Sequence, residues 1–264
     1  MNDAGCNPTF LGLGAAKCGT TTLSKLLAEH PEVAFPKCGL KELHYFDETP
    51  VNEATLATYR AEFTPGRVTG EWTPSYLLGP SCPTLIADHL GTDLRLLVML
   101  RDPCDRAWSH YWHAVKNWSR PGYRERGYPE ETLSFEDALA AEPQRLASGA
   151  YHIRHQSYFS KGLYAEQLER YVDRFGRDRI WVGLLEDLRA RPRDVIQSCC
   201  HFLQIDPAPL HLKPVVRLNA QSEDTMPAET RDRLAERYRP SIDRLERRLG
   251  IGLDAWKTST PATA

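Results

Sequence analysis

The chain has no uninterrupted apolar run of about 18 residues, the length at which a helix crosses a bilayer, so no transmembrane segment is expected. Its first residues, Met1-Asn2-Asp3-Ala4-Gly5-Cys6, lack the basic and apolar regions of a secretory leader. It has no excess of basic charge: 33 Lys and Arg stand against 35 Asp and Glu, a formal charge of −2. That balance excludes the basic footprint of a general nucleic-acid binder, although a few well-placed cations would not show in the sum. None of the seven cysteines is spaced Cys-x-x-Cys, and the count is odd. Reduced, packed thiols in a cytoplasmic protein are therefore expected, with Cys199-Cys200 serving as two small apolar residues of a helix. No internal repeat or low-complexity tract is present.

What the chain does have is length and alternation. Its 264 residues can bury a core without disulfide or metal staples. We read residues 1–264 as a single domain, with its core over about 9–256 and a disordered tail over 257–264. Short apolar runs predict strands at Thr9–Leu13, Val33–Phe35, Val68–Glu71, Leu94–Leu100 and Ile180–Leu184. Helices are predicted over Thr20–Glu29, Ala54–Phe63, Pro83–Leu90, Phe135–Ala141, Leu163–Phe175, Val195–Leu203 and Ala228–Leu249. A further helix opens with Asp102 as cap and Pro103 as first residue and runs to Asn117. Residues 118–133, rich in Gly, Pro, Arg and Glu, read as an exposed loop. Strands alternating with helices give an α/β fold with a central, mostly parallel sheet flanked by helices. Ligands in such sheets bind beyond the carboxyl ends of the strands. That rule selects the loops after Leu13 and Leu100.

The first loop reads Gly14-Ala15-Ala16-Lys17-Cys18-Gly19-Thr20-Thr21-Thr22-Leu23. A strand, small residues and a helix opening with three threonines make a phosphate cradle, because backbone N–H groups and the helix dipole converge there. It is similar to the P-loop G-x-x-x-x-G-K-[ST] in the spacing of Gly14 and Gly19, but Thr20 stands where the lysine belongs. The lysine lies within the loop, at Lys17, which suits one phosphate and one transferring group. In the second segment Arg101 ends a strand and Ser109 lies two turns into the next helix. Arg101 can bind a phosphate through two N–H groups, with Ser109 adding a hydroxyl. Arg101 paired with Asp105 beside a surface serine is the plainer alternative. A nucleotide phosphorylated at both ends of its ribose would span the two segments.

Together the segments resemble the sulfotransferases that use 3′-phosphoadenosine 5′-phosphosulfate, and the heparan-sulfate type and its bacterial relatives more than the steroid and phenol type. Lys17-Cys18-Gly19-Thr20-Thr21-Thr22-Leu23 is similar to the family's K-x-G-T-T-x-L loop. Leu100-Arg101-Asp102-Pro103-Cys104-Asp105-Arg106-Ala107-Trp108-Ser109-His110-Tyr111 is similar to L-R-[DN]-P-x-x-R-x-x-S-x-Y. The likeness continues through Lys41-Glu42-Leu43-His44-Tyr45-Phe46, Gly70-Glu71-Trp72-Thr73-Pro74-Ser75-Tyr76, Gly162-Leu163-Tyr164-Ala165-Glu166-Gln167-Leu168 and Leu185-Glu186-Asp187-Leu188.

The resemblance implies a cosubstrate, 3′-phosphoadenosine 5′-phosphosulfate, and no metal. Lys17, Cys18, Gly19, Thr20, Thr21 and Thr22 would hold its 5′ end, Arg101 and Ser109 its 3′-phosphate, and Arg217 and Asn219 would close over it. Glu42 would be the base, with Glu71 and His44 as rivals, and Lys17 would stabilise charge on the moving group. An extended segment would put Glu42 and His44 on one face and Lys41 and Leu43 on the other. Trp72 stands where heparan-sulfate-type enzymes often carry a lysine, which points away from a highly anionic glycan acceptor; it is alternatively a core residue. His110 and His113 are read as structural or exposed, and Arg244–Arg248 as a solvated helix face. The implied reaction moves a sulfuryl group to a hydroxyl, less readily an amine, of a glycan, glycolipid or secondary metabolite. Loops at 47–60, 118–133 and 143–161 would shape the acceptor site, and oligomeric state stays open. The alternatives are a P-loop kinase of small molecules and a non-catalytic nucleotide-binding module.

Overall fold

A computed structural model describes residues 5–118, 129–208 and 225–257. The apolar run after Thr9 forms β1 (Phe10–Gly14), buried at every position. β2 (Val33–Ala34) and β3 (Val68–Trp72) follow, then β4 (Arg95–Leu100), buried from Leu96 onward, and β5 (Ile180–Leu184). They form one sheet in the order β2-β3-β1-β4-β5, with every ladder parallel. Unbroken apolar runs such as Leu96-Leu97-Val98-Met99-Leu100 belong to parallel strands covered on both faces. The chain winds first to the β2–β3 side of β1 and then to the β4–β5 side. This reversal puts a switch point at the carboxyl end of β1.

The residues divide into two compact units. The first comprises residues 5–100 and 167–208 and contains the whole sheet. Its helices are α1 (Thr20–Ala28), α2 (Tyr45–Glu48), α3 (Glu53–Ala61) and α4 (Cys82–Leu90). The second comprises the described parts of 101–166 and 225–257. It is helical: α5 (Pro103–Asn117), α6 (Phe135–Ala147) and α7 (Ala150–His155) come first. The chain returns to the first unit within α8 (Tyr164–Phe175), followed by α9 (Leu185–Ala190) and α10 (Pro192–Leu203). The second unit ends with α11 (Ala228–Leu249) and a short 3₁₀ turn, Asp254–Lys257. Among the described residues no helix is long and apolar enough to cross a membrane.

Each predicted strand is present to within a residue or so, and three short helices, α2, α7 and α9, were not foreseen. The helix predicted to end at Ala141 continues through Pro143 to Ala147. Tertiary bonds hold the extra turns: Glu142 accepts from the N–H groups of Phe159 and Ser160, and Arg145 grips the buried Glu131 carboxylate through two N–H groups. Regions read as loops at 47–60 and 143–161 are thus largely helical, and 119–128 lies outside the described residues. Lys257, assigned to the tail, binds Asp243 and Glu246; residues 258–264 lie outside the described part.

Cys18, Cys82, Cys104, Cys199 and Cys200 are buried, the last two within α10 as expected, whereas Cys38 is exposed. Trp72 is a core residue, wholly buried. It pairs in register with Gly12 of β1, where a β-carbon would stand 2.1 Å from the indole ring. Glycine is therefore required for this ring to cross the sheet surface. Gly12→Ala should lower unfolding free energy by about 1–3 kcal/mol through overpacking, measured by urea denaturation; wild-type stability would contradict this packing.

Candidate functional site

The cradle forms where β1 ends. Ala15 N–H bonds to the Met99 carbonyl of β4, and Leu77 N–H bonds to the Leu13 carbonyl. The loop is thereby fixed to the sheet on both sides. Lys17 (φ 71°) and Gly19 (φ 81°) are both left-handed. Alternating backbone hands of this kind turn successive N–H groups toward one concavity. Gly19 is also the N-cap of α1 and has no side chain to cap it. The first-turn N–H groups at Thr20, Thr21 and Thr22 have no partner within the helix. A β-carbon at Gly19 would lie 2.6 Å from Leu185. Cys18 is buried, its thiol donating to the Ala16 carbonyl, so it shapes the loop from beneath.

The segment Lys41–Phe46 lies against this cradle. Lys41 Nζ donates to Thr20 Oγ1 at 3.3 Å and Thr21 Oγ1 at 3.4 Å, and lies 2.8 Å from Glu42 Oε1. Glu42 Oε2 is 3.5 Å from His44 Nε2, and His44 Nδ1 is 3.1 Å from Asp47 Oδ2, which also accepts from the Ser75 hydroxyl. The expectation that alternation sets Glu42 and His44 on one face and Lys41 on the other is not met. His44 is left-handed (φ 52°) and starts α2, so the carboxylate meets its histidine through a turn and meets Lys41 as well. Burial pushes the Glu42 carboxyl up, but the His44 imidazole and the Lys41 ammonium outweigh it and hold the group below the ordinary carboxylate range. His44, Asp47 and Glu48 have ligand atoms within 4.8 Å of one another and are the described residues that could hold a cation. Glu48 is exposed, and His44 and Asp47 already bond each other, which accounts for the cluster without an ion.

Glu71 is wholly buried. Tyr76 OH donates to one of its oxygens at 2.6 Å and Thr73 Oγ1 to the other at 2.6 Å; Tyr59 OH and Leu43 N–H each approach at 3.4 Å. The same partners reach further. Thr73 Oγ1 accepts from His44 N–H, and Tyr76 OH accepts from the N–H groups of Tyr45 and Phe46. Four consecutive backbone donors, Leu43 to Phe46, thus end on Glu71 or on a hydroxyl bonded to it. They include first-turn N–H groups of α2, which His44 does not cap with its side chain.

Arg101 follows β4 directly and belongs to the second unit. Its carbonyl accepts from Tyr164 OH at 3.0 Å. Its Nε is buried without a hydrogen-bond partner among the described residues, and Asp105 is 3.8 Å from its Nη2. The expected alternative of an Arg101–Asp105 pair is weak for a visible reason. Arg231 of α11, almost fully buried, binds both Asp102 and Asp105, the latter at 2.5 Å. Asp102 caps α5 by accepting from the N–H groups of Cys104 and Asp105. Ser109 is half-buried two turns along. His110 is buried, its ring edge-on to Tyr158, and His113 pairs with Asn117. Arg247 and Arg248 are exposed as expected, while Arg244 meets Glu166 at 3.3 Å. Arg217 and Asn219 lie outside the described residues.

The sulfotransferase domain family matches residues 8–226. The chain belongs to that family. It superposes on a sulfotransferase from Alicyclobacillus acidocaldarius with a TM-score of 0.77 and 30% identity, covering 96% of this chain and 100% of that one. It is 31% identical over 172 residues to heparan sulfate glucosamine 3-O-sulfotransferase 6 of Homo sapiens, covering 64% of this chain and 44% of the relative. It is likewise 31% identical over 144 residues to the membrane-associated sulfotransferase kil1 of Dictyostelium discoideum, covering 52% of this chain and 29% of the relative. The chain spans less than half the length of these two relatives.

Lys41, Thr73, Tyr76 and Tyr59 carried no assignment from sequence. Lys41 belongs to the segment Lys41–Phe46, but an extended strand would turn it to the face opposite Glu42. The two tyrosines and Thr73 carry only a packing signal until the fold converges them on Glu71.

Burial pushes the Glu71 carboxyl up to about 7, against the pull of Thr73, Tyr76 and the Leu43 N–H. Its folded value exceeds its unfolded one, so its contribution to stability is present below about pH 4.5 and is lost as pH rises through about 7. Glu71→Gln abolishes this titration. The melting temperature of the wild type should therefore fall relative to that of the variant between about pH 5 and pH 8. A difference independent of pH would contradict the assignment.

Proposed function

We propose that this sulfotransferase-family protein moves a sulfuryl group from 3′-phosphoadenosine 5′-phosphosulfate to a hydroxyl, less readily an amine, of a glycan or small-molecule acceptor. One observation carries the reading: a single ammonium touches both the threonine lip of the cradle and the Glu42 carboxylate. An anion site and a proton acceptor are therefore adjacent. Residues 9–256 are read as one catalytic domain, and the buried thiols suit a reducing, cytoplasmic setting.

In this reading the N–H groups and hydroxyls of Thr20, Thr21 and Thr22, with Lys17, hold the 5′-phosphosulfate. Arg101, whose buried Nε awaits an acceptor, binds the 3′-phosphate with Ser109. Arg217 and Asn219 are assigned to nucleotide closure on sequence likeness alone. Glu42 takes the acceptor proton. The acceptor oxygen forms its bond to sulfur as the bond from sulfur to the bridging phosphate oxygen breaks, and 3′-phosphoadenosine 5′-phosphate departs with that electron pair. His44, held by Asp47, orients Glu42 and shares its proton. Glu71 has the higher proton affinity but no solvent-facing atom and no unoccupied oxygen, so its part is to hold the segment. The transfer is in-line positioning plus charge stabilisation, and with so good a leaving group the chain's own cations suffice without a metal.

Calorimetry with 3′-phosphoadenosine 5′-phosphate should show binding, weakened by Lys17→Ala and by Arg101→Ala. No binding to the wild type at about 1 mM, a free energy near −4 kcal/mol, would overturn the reading. Glu42→Gln should cut kcat about 10²- to 10⁴-fold while nucleotide affinity stays nearly constant; unchanged turnover would remove Glu42 as the base.

A further inference from the structure

We propose that Lys41 is a ligand of the 5′ end of the donor nucleotide and couples donor binding to the Glu42 carboxylate, a role that rests on the donor reading above. Lys41 comes from a segment without regular structure, yet its backbone is well anchored. Its carbonyl accepts from Trp72 N–H at 2.8 Å, at the end of β3, and the next residues but one are tied to Glu71 and Thr73. From this base the side chain, 20% exposed, carries its ammonium over the N-terminus of α1. It faces the cradle, not solvent.

The partners of Lys41 there are unequal. Glu42 lies at a full ion-pair distance of 2.8 Å, whereas the Thr20 and Thr21 hydroxyls lie at 3.3 and 3.4 Å, long for a charged donor. An ammonium has three N–H donors to satisfy, and two of them here point at the residues whose N–H groups and hydroxyls form an anion site. A phosphate or sulfuryl oxygen bound at that lip is a stronger acceptor than a hydroxyl. Lys41 would then divide its charge between that anion and Glu42. Wholly buried, Trp72 brings no cation to the end of β3; the Lys41 backbone hydrogen-bonds to it and the Lys41 side chain supplies the charge instead.

The coupling follows from the shared ammonium. The charged groups set beside Glu42 are Lys41 and His44, with Asp47 and Glu48 beyond the imidazole. Drawing Lys41 toward a bound anion relaxes its hold on Glu42, which makes the carboxylate a better proton acceptor when the donor is in place. Removing Lys41 altogether leaves Glu42 with His44 alone.

The test is calorimetry on the full chain with two probes, 3′-phosphoadenosine 5′-phosphate and adenosine 3′-phosphate, which differ only in the 5′-phosphate. The variants are Lys41→Met, Lys41→Arg and, as a charge control on the exposed end of α1, Lys25→Met. Lys41→Met should weaken the bisphosphate about tenfold, the size of one charge-assisted contact, and leave adenosine 3′-phosphate within about twofold. Lys41→Arg should recover most of the loss, and Lys25→Met should lose nothing. The acid limb of kcat against pH should move upward in Lys41→Met, whereas a misfolded fraction would lower its amplitude without moving it. Bisphosphate affinity unchanged in Lys41→Met, or lost equally for both probes, would overturn the role of Lys41 while leaving the donor reading intact. Failure of the wild type to bind either probe would overturn the donor reading and this role with it.

Discussion

A buried carboxylate organises this chain. Glu71, the penultimate residue of β3, has no exposed atom, and the hydroxyls of Tyr76 and Thr73 close on its two oxygens at 2.6 Å. Burying a carboxylate is costly unless it is densely hydrogen-bonded. Here the donors that stabilise it are themselves acceptors for the backbone N–H groups of His44, Tyr45 and Phe46. The network therefore spends its polarity on a segment that no strand or long helix would otherwise hold. Partial satisfaction would be worse than an apolar core, so the four residues Tyr59, Thr73, Tyr76 and Glu71 act as a unit.

The segment that carries Glu42 and His44 hangs on that network. The left-handed turn at His44 brings the imidazole between Glu42 and Asp47. A separate bond, from the Trp72 N–H to the Lys41 carbonyl, sets Lys41 over the threonines of α1. The cradle is fixed separately, by β1 and by its bonds to β4 and Leu77. Two rigid pieces, built from the carboxyl ends of neighbouring strands, are thus placed against each other. Positioning within a fraction of an ångström is what in-line group transfer demands of a protein. In the second unit, the Arg231 bridge to Asp102 and Asp105 plays a comparable part. It draws Asp105 off Arg101 and leaves a guanidinium whose buried Nε has no partner among the described residues.

The strands, the long helices and the cradle were legible in sequence because their signals are local: apolar runs, Asp102-Pro103 as a helix start, glycines five apart. The departures are where distant residues decide. The helix expected to end at Ala141 runs on to Ala147 because Glu142 and Arg145 find partners outside it. The four-residue α2 has too little length to show a period, and it exists because Tyr76 and Thr73 receive its N–H groups. Period-two reasoning set Lys41 and Glu42 apart, whereas the segment is not a strand and their side chains meet at 2.8 Å. Glu71 was legible as a candidate base, but only the fold shows it wholly buried and tied to the Leu43–Phe46 backbone.

Glu71, directly and through Thr73 and Tyr76, holds the backbone of Leu43, His44, Tyr45 and Phe46 in place before any nucleotide arrives. Amide hydrogen exchange reads those four N–H groups directly. In the ligand-free wild type they should exchange slowly, and in Glu71→Ala they should exchange at rates near those of an unfolded chain while the amides of β1 and β4 stay protected. Rapid exchange of the four amides in the wild type, or equal protection in the variant, would contradict the account.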